Sequence, residues 1–141
     1  MYYANNTIIE RKKIVDYVFD NKTPIYMQLV DKIRLNIVSG KFKKGERLLS
    51  VRELALEFKV NPNTMQKALV ELEQEGLIYT QRTSGKFVTE NEEVIREAKY
   101  TLAMDKVKTF MQDMESIGIN KSEILLYLQE MEKNFYGTFK N

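Results

Sequence analysis

Hydrophobic residues recur every three or four positions along most of the chain, which is the pattern of amphipathic helices. The first such stretch runs from Pro24 to Gly40, since proline suits the first turn of a helix and glycine favours its end. Its apolar positions, spaced four apart, are Ile25, Leu29, Ile33 and Ile37. We predict a helix here, with these four side chains on its buried face.

A second helix is predicted after a basic connector at residues 41–46. The Ser50 hydroxyl can cap its first turn while the Glu53 side chain reaches back to the Ser50 amide, the arrangement known as a capping box. Its apolar positions are Val51, Leu54, Ala55 and Phe58. The helix should stop near Lys59.

A third helix follows almost at once, because Asn61 is a preferred N-cap and Pro62 is harmless at the first helical position. The residues predicted to face inward are Met65, Ala68, Leu69 and Leu72. The residues left facing outward are Asn63, Gln66, Lys67 and Val70. Gly76 can supply a left-handed stop.

A hairpin is predicted next, with strands at Leu77 to Arg82 and Lys86 to Thr89 around a turn containing Gly85. Three helices followed by a hairpin give a mainly α fold with a small β wing. The fold class is therefore a winged helix-turn-helix domain followed by two C-terminal helices.

The region from Asn91 onward predicts a long helix with a seam of nearly three heptads. The seam residues are Tyr100, Ala103, Val107, Phe110, Met114 and Ile117. Gly118 interrupts it, and Asn120 with Glu123 forms a second capping box that opens a last helix. The apolar side of that helix consists of Ile124, Leu128, Met131 and Phe135.

An exposed apolar seam needs a partner, and a second copy of the chain would supply one. The alternative is that these helices pack against the preceding domain of the same chain (residues 24–89, the head) and form part of its core. Four methionines could line an adaptable cavity, although methionine at helical spacing is more often packing than a ligand site. They are Met104, Met111, Met114 and Met131. The sequence names no small-molecule effector.

We divide the chain into an N-terminal extension at residues 1–23, a winged helix-turn-helix domain at 24–89 and a helical dimerisation tail at 90–141. The sequence allows two interpretations of the structure of the N-terminal extension. Residues 14–19 are β-prone, whereas residues 10–13 would suit the start of a helix.

The composition narrows the class of protein. The chain has 141 residues, 43% hydrophobic and 30% charged, which suits a folded and soluble protein. It contains no cysteine and no histidine, which argues against disulfides, histidine-based catalysis and most zinc sites. We expect no metal, no cofactor and no enzymatic activity. Without a long apolar run or a signal peptide, we expect a cytoplasmic protein.

Positive charge is concentrated in the middle of the chain. Residues 24–89 hold eleven Lys and Arg against seven Asp and Glu, whereas residues 90–141 hold seven against ten. A basic segment joined to an acidic one suits a head that binds a polyanion and a tail with another task.

The third helix, at about residues 62–75, carries the chemistry that reads DNA. In a helix-turn-helix the second helix of the motif projects its N-terminal residues into the major groove, where amide and ammonium groups pair with base edges. The residues expected at DNA from the cap and first turns of this helix are Asn61, Asn63, Thr64, Gln66 and Lys67. Arg52 can clamp phosphate, and the wing at about 77–89 offers Arg82, Gly85 and Lys86.

The stretch from Pro24 to Thr89 resembles the DNA-binding domain of GntR regulators. The resemblance lies in GERLLSVREL at residues 45–54, VNPNTMQKAL at 60–69, LEQEGLI at 72–78 and GKFV at 85–88. The PIYMQL opening and the short tail are similar to the YtrA-type branch. This resemblance implies a bacterial regulator, typically a repressor and often of transporter operons, that binds palindromic operator DNA as a homodimer.

Carried over to this chain, the resemblance implies that Arg52 contacts phosphate, that the first turns of the third helix meet the major groove, and that Gly85 shapes the wing. The sequence departs from the family at Leu49, where proline is usual, at Thr83, where glycine is common, and at Lys86, where threonine or serine is common. The resemblance therefore does not fix how the wing approaches the minor groove.

Two other classes of function remain as alternatives. A winged helix can dock on proteins, but such a face carries aromatic anchors, whereas this third helix is polar and contains Lys67. An enzyme would need paired carboxylates in a pocket. Glu71 and Glu75 stand four apart on a helix face expected in solvent.

Overall fold

The computed structural model describes residues 18–136, and it describes side chains as far as Asn134. Residues 1–17 lie outside the described residues, and with them the candidate helix start at residues 10–13 and most of the β-prone segment at residues 14–19. Val18 and Phe19 are described and belong to no strand. The chain forms two compact units, which divide between Lys99 and Tyr100. The elements in order are α1 (Ile25–Val38), α2 (Val51–Phe58), α3 (Pro62–Gln74), β1 (Ile78–Gln81), β2 (Gly85–Val88), α4 (Glu92–Ser116), α5 (Lys121–Met131) and a short π-helical turn (Glu132–Tyr136). The predicted mainly α fold with one small hairpin is confirmed.

Helix α1 begins directly after Pro24, whose carbonyl accepts hydrogen bonds from the amides of Met27 and Gln28 at 3.1 and 3.3 Å. Leu29, Ile33 and Ile37 are buried as predicted. The prediction for Ile25 is wrong, because its side chain is 45% exposed. As the first residue of the helix, Ile25 extends past the packed layer that the other three positions form.

Helix α2 starts with the predicted capping box. The Ser50 hydroxyl accepts a hydrogen bond from the Glu53 amide at 3.1 Å, and the Glu53 carboxylate accepts one from the Ser50 amide at 2.9 Å. The helix ends at Lys59, which adopts a left-handed conformation with φ of 60°. Only three residues separate Phe58 of α2 from Pro62 of α3, so the two helices form a tight helix-turn-helix.

Helix α3 is capped by Asn61, whose side-chain oxygen accepts a hydrogen bond from the Asn63 amide at 2.7 Å. Pro62 occupies its first position, as predicted. The four residues predicted to face inward are buried without any exposed surface: Met65, Ala68, Leu69 and Leu72. The helix packs against α1, α2 and β1. Contacts with these three elements therefore fix the orientation of α3 in the first unit.

The hairpin forms a two-stranded antiparallel sheet in which Ile78 lies opposite Val88 and Gln81 lies opposite Gly85. Gly85 was predicted in the turn but belongs to β2. The connector between α1 and α2 also pairs with β2, because the Leu48 amide donates to the Lys86 carbonyl at 2.8 Å and the Val88 amide donates to the Glu46 carbonyl at 2.9 Å. This third extended segment was not predicted, since it lacks alternating apolar residues.

The first turns of α4 belong to the first unit, where Val94, Ile95 and Ala98 pack against the core of the head. In the second unit, α5 begins with the predicted capping box: the Asn120 side chain accepts from the Glu123 amide at 2.9 Å, and the Glu123 carboxylate accepts from the Asn120 amide at 3.1 Å. Within residues 18–136, no helix has the length and apolar character needed to cross a membrane.

Because Leu69 of α3 lies in the core, truncation of its side chain should strongly lower the stability of the fold. Leu69 has no exposed surface, so Leu69→Ala should lower the free energy of unfolding by about 2–5 kcal/mol through lost burial and a residual cavity. Urea denaturation measures this change. The matched control is Leu56→Ala in α2, where the side chain is 77% exposed and the change should stay within about 0.5 kcal/mol. Equal losses in the two variants would contradict the core assignment.

Candidate nucleic-acid interface

The first half of α3 presents a polar face to solvent. Asn63, Gln66 and Lys67 are exposed, and Thr64 beside them is half-buried. The first turn of the helix contains no acidic residue. The backbone amides at this end carry the positive pole of the helix dipole, so an anionic partner is favoured here.

Lys67 has a defined position on this face. Its ammonium lies over the ring of Tyr26, 4.0 Å from the ring centroid. Tyr26 belongs to the first turn of α1 and is half-buried against the hydrophobic core. The sequence predicted that Lys67 faces outward, but not its aromatic neighbour, which stands 41 residues earlier in the chain.

The second half of α3 and its C-cap are acidic, and cations from two other elements compensate two of these carboxylates. Arg34 in α1 donates to both carboxylate oxygens of Glu75, at 3.1 and 2.5 Å, and it also bonds Asp31 at 2.8 Å. The hydrogen bond to Glu75 raises the pKa of the Arg34 guanidinium, against the lowering effect of burial. The Lys86 ammonium lies 3.5 Å from the Glu73 carboxylate. The acidic end of α3 is thus tied to α1 and to the wing.

The two cations predicted in the wing occupy different environments. Arg82 lies in the turn between β1 and β2 and is exposed. The Lys86 side chain is only 16% exposed, and its ammonium is 2.9 Å from the Thr80 hydroxyl oxygen in addition to its contact with Glu73. Lys86 therefore braces the wing against α3.

Gly85 adopts φ of +109°, a conformation that other residues rarely adopt. A Cβ atom at this position would lie 3.3 Å from Nε of Arg47. The Arg47 guanidinium therefore lies close to the backbone of the wing, and the absence of a side chain at Gly85 makes room for it. Arg47 is exposed and adds a cation to this region, within the GERLLSVREL motif but outside the predicted contact residues.

The remaining residues predicted to contact DNA lie at the starts of helices. Arg52 is the second residue of α2 and is exposed. The side-chain oxygen of Asn61 is used to cap α3, so this residue shapes the helix start directly. The structure thus presents cations or amides at the starts of α2 and α3.

The tail unit carries a different kind of surface. No residue of α4 is buried within the single chain. The seam residues Tyr100 and Ile117 are 67% and 70% exposed. The other exposed members of the predicted set are Ala103, Val107, Phe110, Leu128 and Met131, while Met114 is half-buried and Ile124 is buried. A helix pair with this much exposed apolar area is typical of an interaction surface.

A groove of about 760 Å³ also lies in the tail unit, along α4 and the start of α5. Met104 and Met111 line it together with Val107, Ile119 and Ile124. Met114 and Met131, the other two methionines considered for a cavity, are not among its lining residues. Of the six seam residues, Val107 alone lines the groove.

The chain is similar to known proteins over the head and beyond it. The model of bacterial regulatory proteins of the gntR family matches residues 25–88. An uncharacterized HTH-type transcriptional regulator, YhcF of Bacillus subtilis (strain 168), is 37% identical over 111 residues, which cover 79% of this chain and 92% of that protein. The HTH-type transcriptional repressor YtrA of the same strain is 34% identical over 122 residues, covering 86% and 94%.

Among solved structures, a GntR family transcriptional regulator from Listeria monocytogenes has a TM-score of 0.74 to this chain at 41% sequence identity. The match covers 79% of this chain and 98% of that one. The similarity therefore includes the arrangement of the backbone as well as the sequence.

The ion pair between Arg34 and Glu75 predicts a measurable contribution to stability. Arg34→Met should lower the free energy of unfolding by about 1 kcal/mol, because the bond is two-pronged and partly shielded from solvent. Glu75→Gln in the Arg34→Met background should add little. Glu71→Gln is the matched control, since Glu71 is exposed on the same helix and forms no ion pair in the described part of the chain. A loss in the control as large as that in Arg34→Met would contradict the assignment.

Proposed function

The chain belongs to the gntR family of DNA-binding bacterial transcription regulators, in its YtrA-type branch, and we propose that it represses transcription by binding a palindromic operator as a homodimer. The observation that carries this proposal is the first half of α3. It combines an acid-free helix start with exposed amide and ammonium groups, on a helix whose opposite face is locked in the core.

Each polar group on this face can pair with a base edge in the major groove. The Asn63 and Gln66 amides can pair with adenine through a donor and an acceptor at once, and Lys67 can donate to guanine or to phosphate. We assign base reading to these three residues. Thr64, which is half-buried, is placed for a contact through its hydroxyl or methyl group.

Cations around α3 fit contacts with the DNA backbone. Arg52 at the start of α2 is assigned to a phosphate, where its planar guanidinium can hold two oxygens. Arg82 in the hairpin turn and Arg47 beside Gly85 are the exposed cations that we assign to the wing. Lys86 is assigned to support of the wing, because its ammonium is engaged by Glu73 and Thr80.

The homodimer is proposed on the apolar surface of the tail. Burial of a whole apolar side chain contributes about 1.5–3 kcal/mol. Tyr100, Phe110 and Ile117 are 67%, 39% and 70% exposed, so each would contribute the corresponding fraction if a second copy buried it. Association and ordering costs offset much of this gain. A two-fold dimer places two recognition helices on successive major grooves, which matches an operator with two half-sites about one helical turn apart.

We assign DNA reading to residues 24–89 and dimerisation to residues 90–141. Bound across a promoter, such a dimer would block access of RNA polymerase, and we place it in the cytoplasm, where bacterial operator DNA lies. The resemblance to the YtrA-type branch implies a transporter operon as target. Transcripts of neighbouring genes in a strain lacking this gene test that assignment, since repressed transcripts should rise.

Operator binding is tested with a duplex from the region upstream of the chain's own gene. Fluorescence anisotropy should show binding at least 10³-fold tighter than to a shuffled duplex at physiological salt. Gln66→Ala should weaken binding to the operator by roughly 5- to 150-fold, which is the range for loss of a two-pronged base contact. Gln74→Ala, at the other end of the same helix, is the matched control and should change affinity less than twofold. Equal affinity of the wild type for both duplexes would refute the proposal.

Dimerisation is tested by sedimentation equilibrium. The wild type should have a mass of about 33 kDa, twice the 16.6 kDa of one chain. Phe110→Glu should give the monomer mass with an unchanged circular-dichroism spectrum, because it places a charge within the seam. Thr109→Glu adds the same charge one residue away and should remain dimeric. A wild-type monomer would favour the alternative in which the tail packs on its own chain.

A further inference from the structure

The PIYMQL segment at the start of α1 contains a tyrosine that no part of the proposed function uses. The ring of Tyr26 lies beneath the Lys67 ammonium, 4.0 Å from ring centroid to nitrogen. We propose that Tyr26 is a positioning residue for DNA recognition, which holds the Lys67 ammonium in place on α3 before the operator is bound. This inference rests on the proposed function, because it assigns Tyr26 a role through Lys67.

The physical reason lies in the freedom of a lysine side chain. Lys67 is exposed, and its four-carbon stem would otherwise sample many rotamers, all but a few of which are lost when the ammonium binds DNA. The negative face of an aromatic ring attracts a cation within about 6 Å of its centroid. Holding the ammonium in advance reduces the ordering cost at binding, and it leaves the other donors of the ammonium free for the groove.

The ring is itself a fixed support. Tyr26 is half-buried against the hydrophobic core of the head. Two residues later, the buried Gln28 side chain donates to the carbonyl oxygens of Thr23 at 2.7 Å and Asp20 at 3.1 Å, and it accepts from the Asp20 amide at 3.0 Å. These bonds tie the incoming segment to the start of α1. A ring attached to such an anchored turn can restrain a flexible cation.

The position of Lys67 also explains why the contact bears on specificity. Lys67 follows Gln66 directly and shares the exposed face with Asn63. An ammonium with a fixed location can select among the acceptors that a base pair offers, whereas a freely moving one finds phosphate on any sequence. We therefore expect Tyr26 to affect binding of the operator more than binding of a shuffled duplex.

The experiment combines two tyrosine variants with a charge-removing variant of the lysine. Tyr26→Phe keeps the ring, Tyr26→Leu removes it with similar apolar character, and Lys67→Met keeps the stem without the charge. Anisotropy titrations should give Tyr26→Phe within twofold of the wild type and Tyr26→Leu about 3- to 10-fold weaker on the operator, in line with a cation–π contact. In the Lys67→Met background, Tyr26→Leu should cost less than twofold, because the two residues act as one unit.

A second measurement tests the contact without DNA. The ring current of Tyr26 should shift the Lys67 side-chain methylene signals upfield in the NMR spectrum, with the shift kept in Tyr26→Phe and lost in Tyr26→Leu. Urea unfolding curves of each variant show whether a change in DNA affinity comes from a change in stability. A drop in affinity that is explained by partial unfolding of the variant would overturn the proposal.

The remaining outcomes are equally decisive. Full additivity of Tyr26→Leu and Lys67→Met would overturn the proposal. So would a loss in Tyr26→Phe as large as in Tyr26→Leu, because the hydroxyl would then contact DNA directly. Tighter binding by Tyr26→Leu would show that the ring restrains the lysine away from DNA. If the wild type does not prefer the operator to the shuffled duplex, the proposed function fails first, before any variant is compared.

Discussion

The burial of one face of α3 is the constraint on which the rest of the structure depends. Met65, Ala68, Leu69 and Leu72 lie in the core of the head, against α1, α2 and the hairpin. Because successive residues of a helix are rotated by about 100°, fixing these four leaves no freedom in where the others face. Asn63, Gln66 and Lys67 must lie outward. The chemistry of the exposed face therefore follows from the packing of the hidden one.

The charges around α3 follow the same division. Its first half carries no carboxylate, while two of the three acids beyond it are compensated by cations from other elements, Glu75 by Arg34 and Glu73 by Lys86. These pairs hold the far end of the helix to α1 and to the wing, and they reduce the negative field that a phosphate backbone would meet. Arg34 and Lys86 thus have protein partners in the single chain. Exposed Arg47, Arg52 and Arg82 are then the groups that suit backbone contacts.

Local patterns predicted the elements of this chain well, because caps and periodicity act within a few residues. Both capping boxes, the Asn61 cap and the inward face of α3 are present as expected. The failures involve partners that are distant in sequence. Pairing of the connector with β2, the contact of Lys86 with Glu73 and the position of Tyr26 beneath Lys67 join residues that only the tertiary fold brings together. Ile25 was misplaced because periodicity does not show where the packed layer ends.

In the proposed regulator, the head and the tail would make separate contributions to discrimination between the operator and other DNA sequences. A single recognition helix contacts only a few base pairs, so one head alone would distinguish its site weakly from the many competing sequences of a genome. If two heads are joined, binding of the first places the second near its half-site at a high effective concentration, and the discrimination of the two half-sites multiplies. In the proposed homodimer that joint would be the apolar tail, where Tyr100 and Ile117 are exposed in the single chain. In the proposed homodimer, the exposed seam would therefore allow the small polar face of α3 to select one sequence.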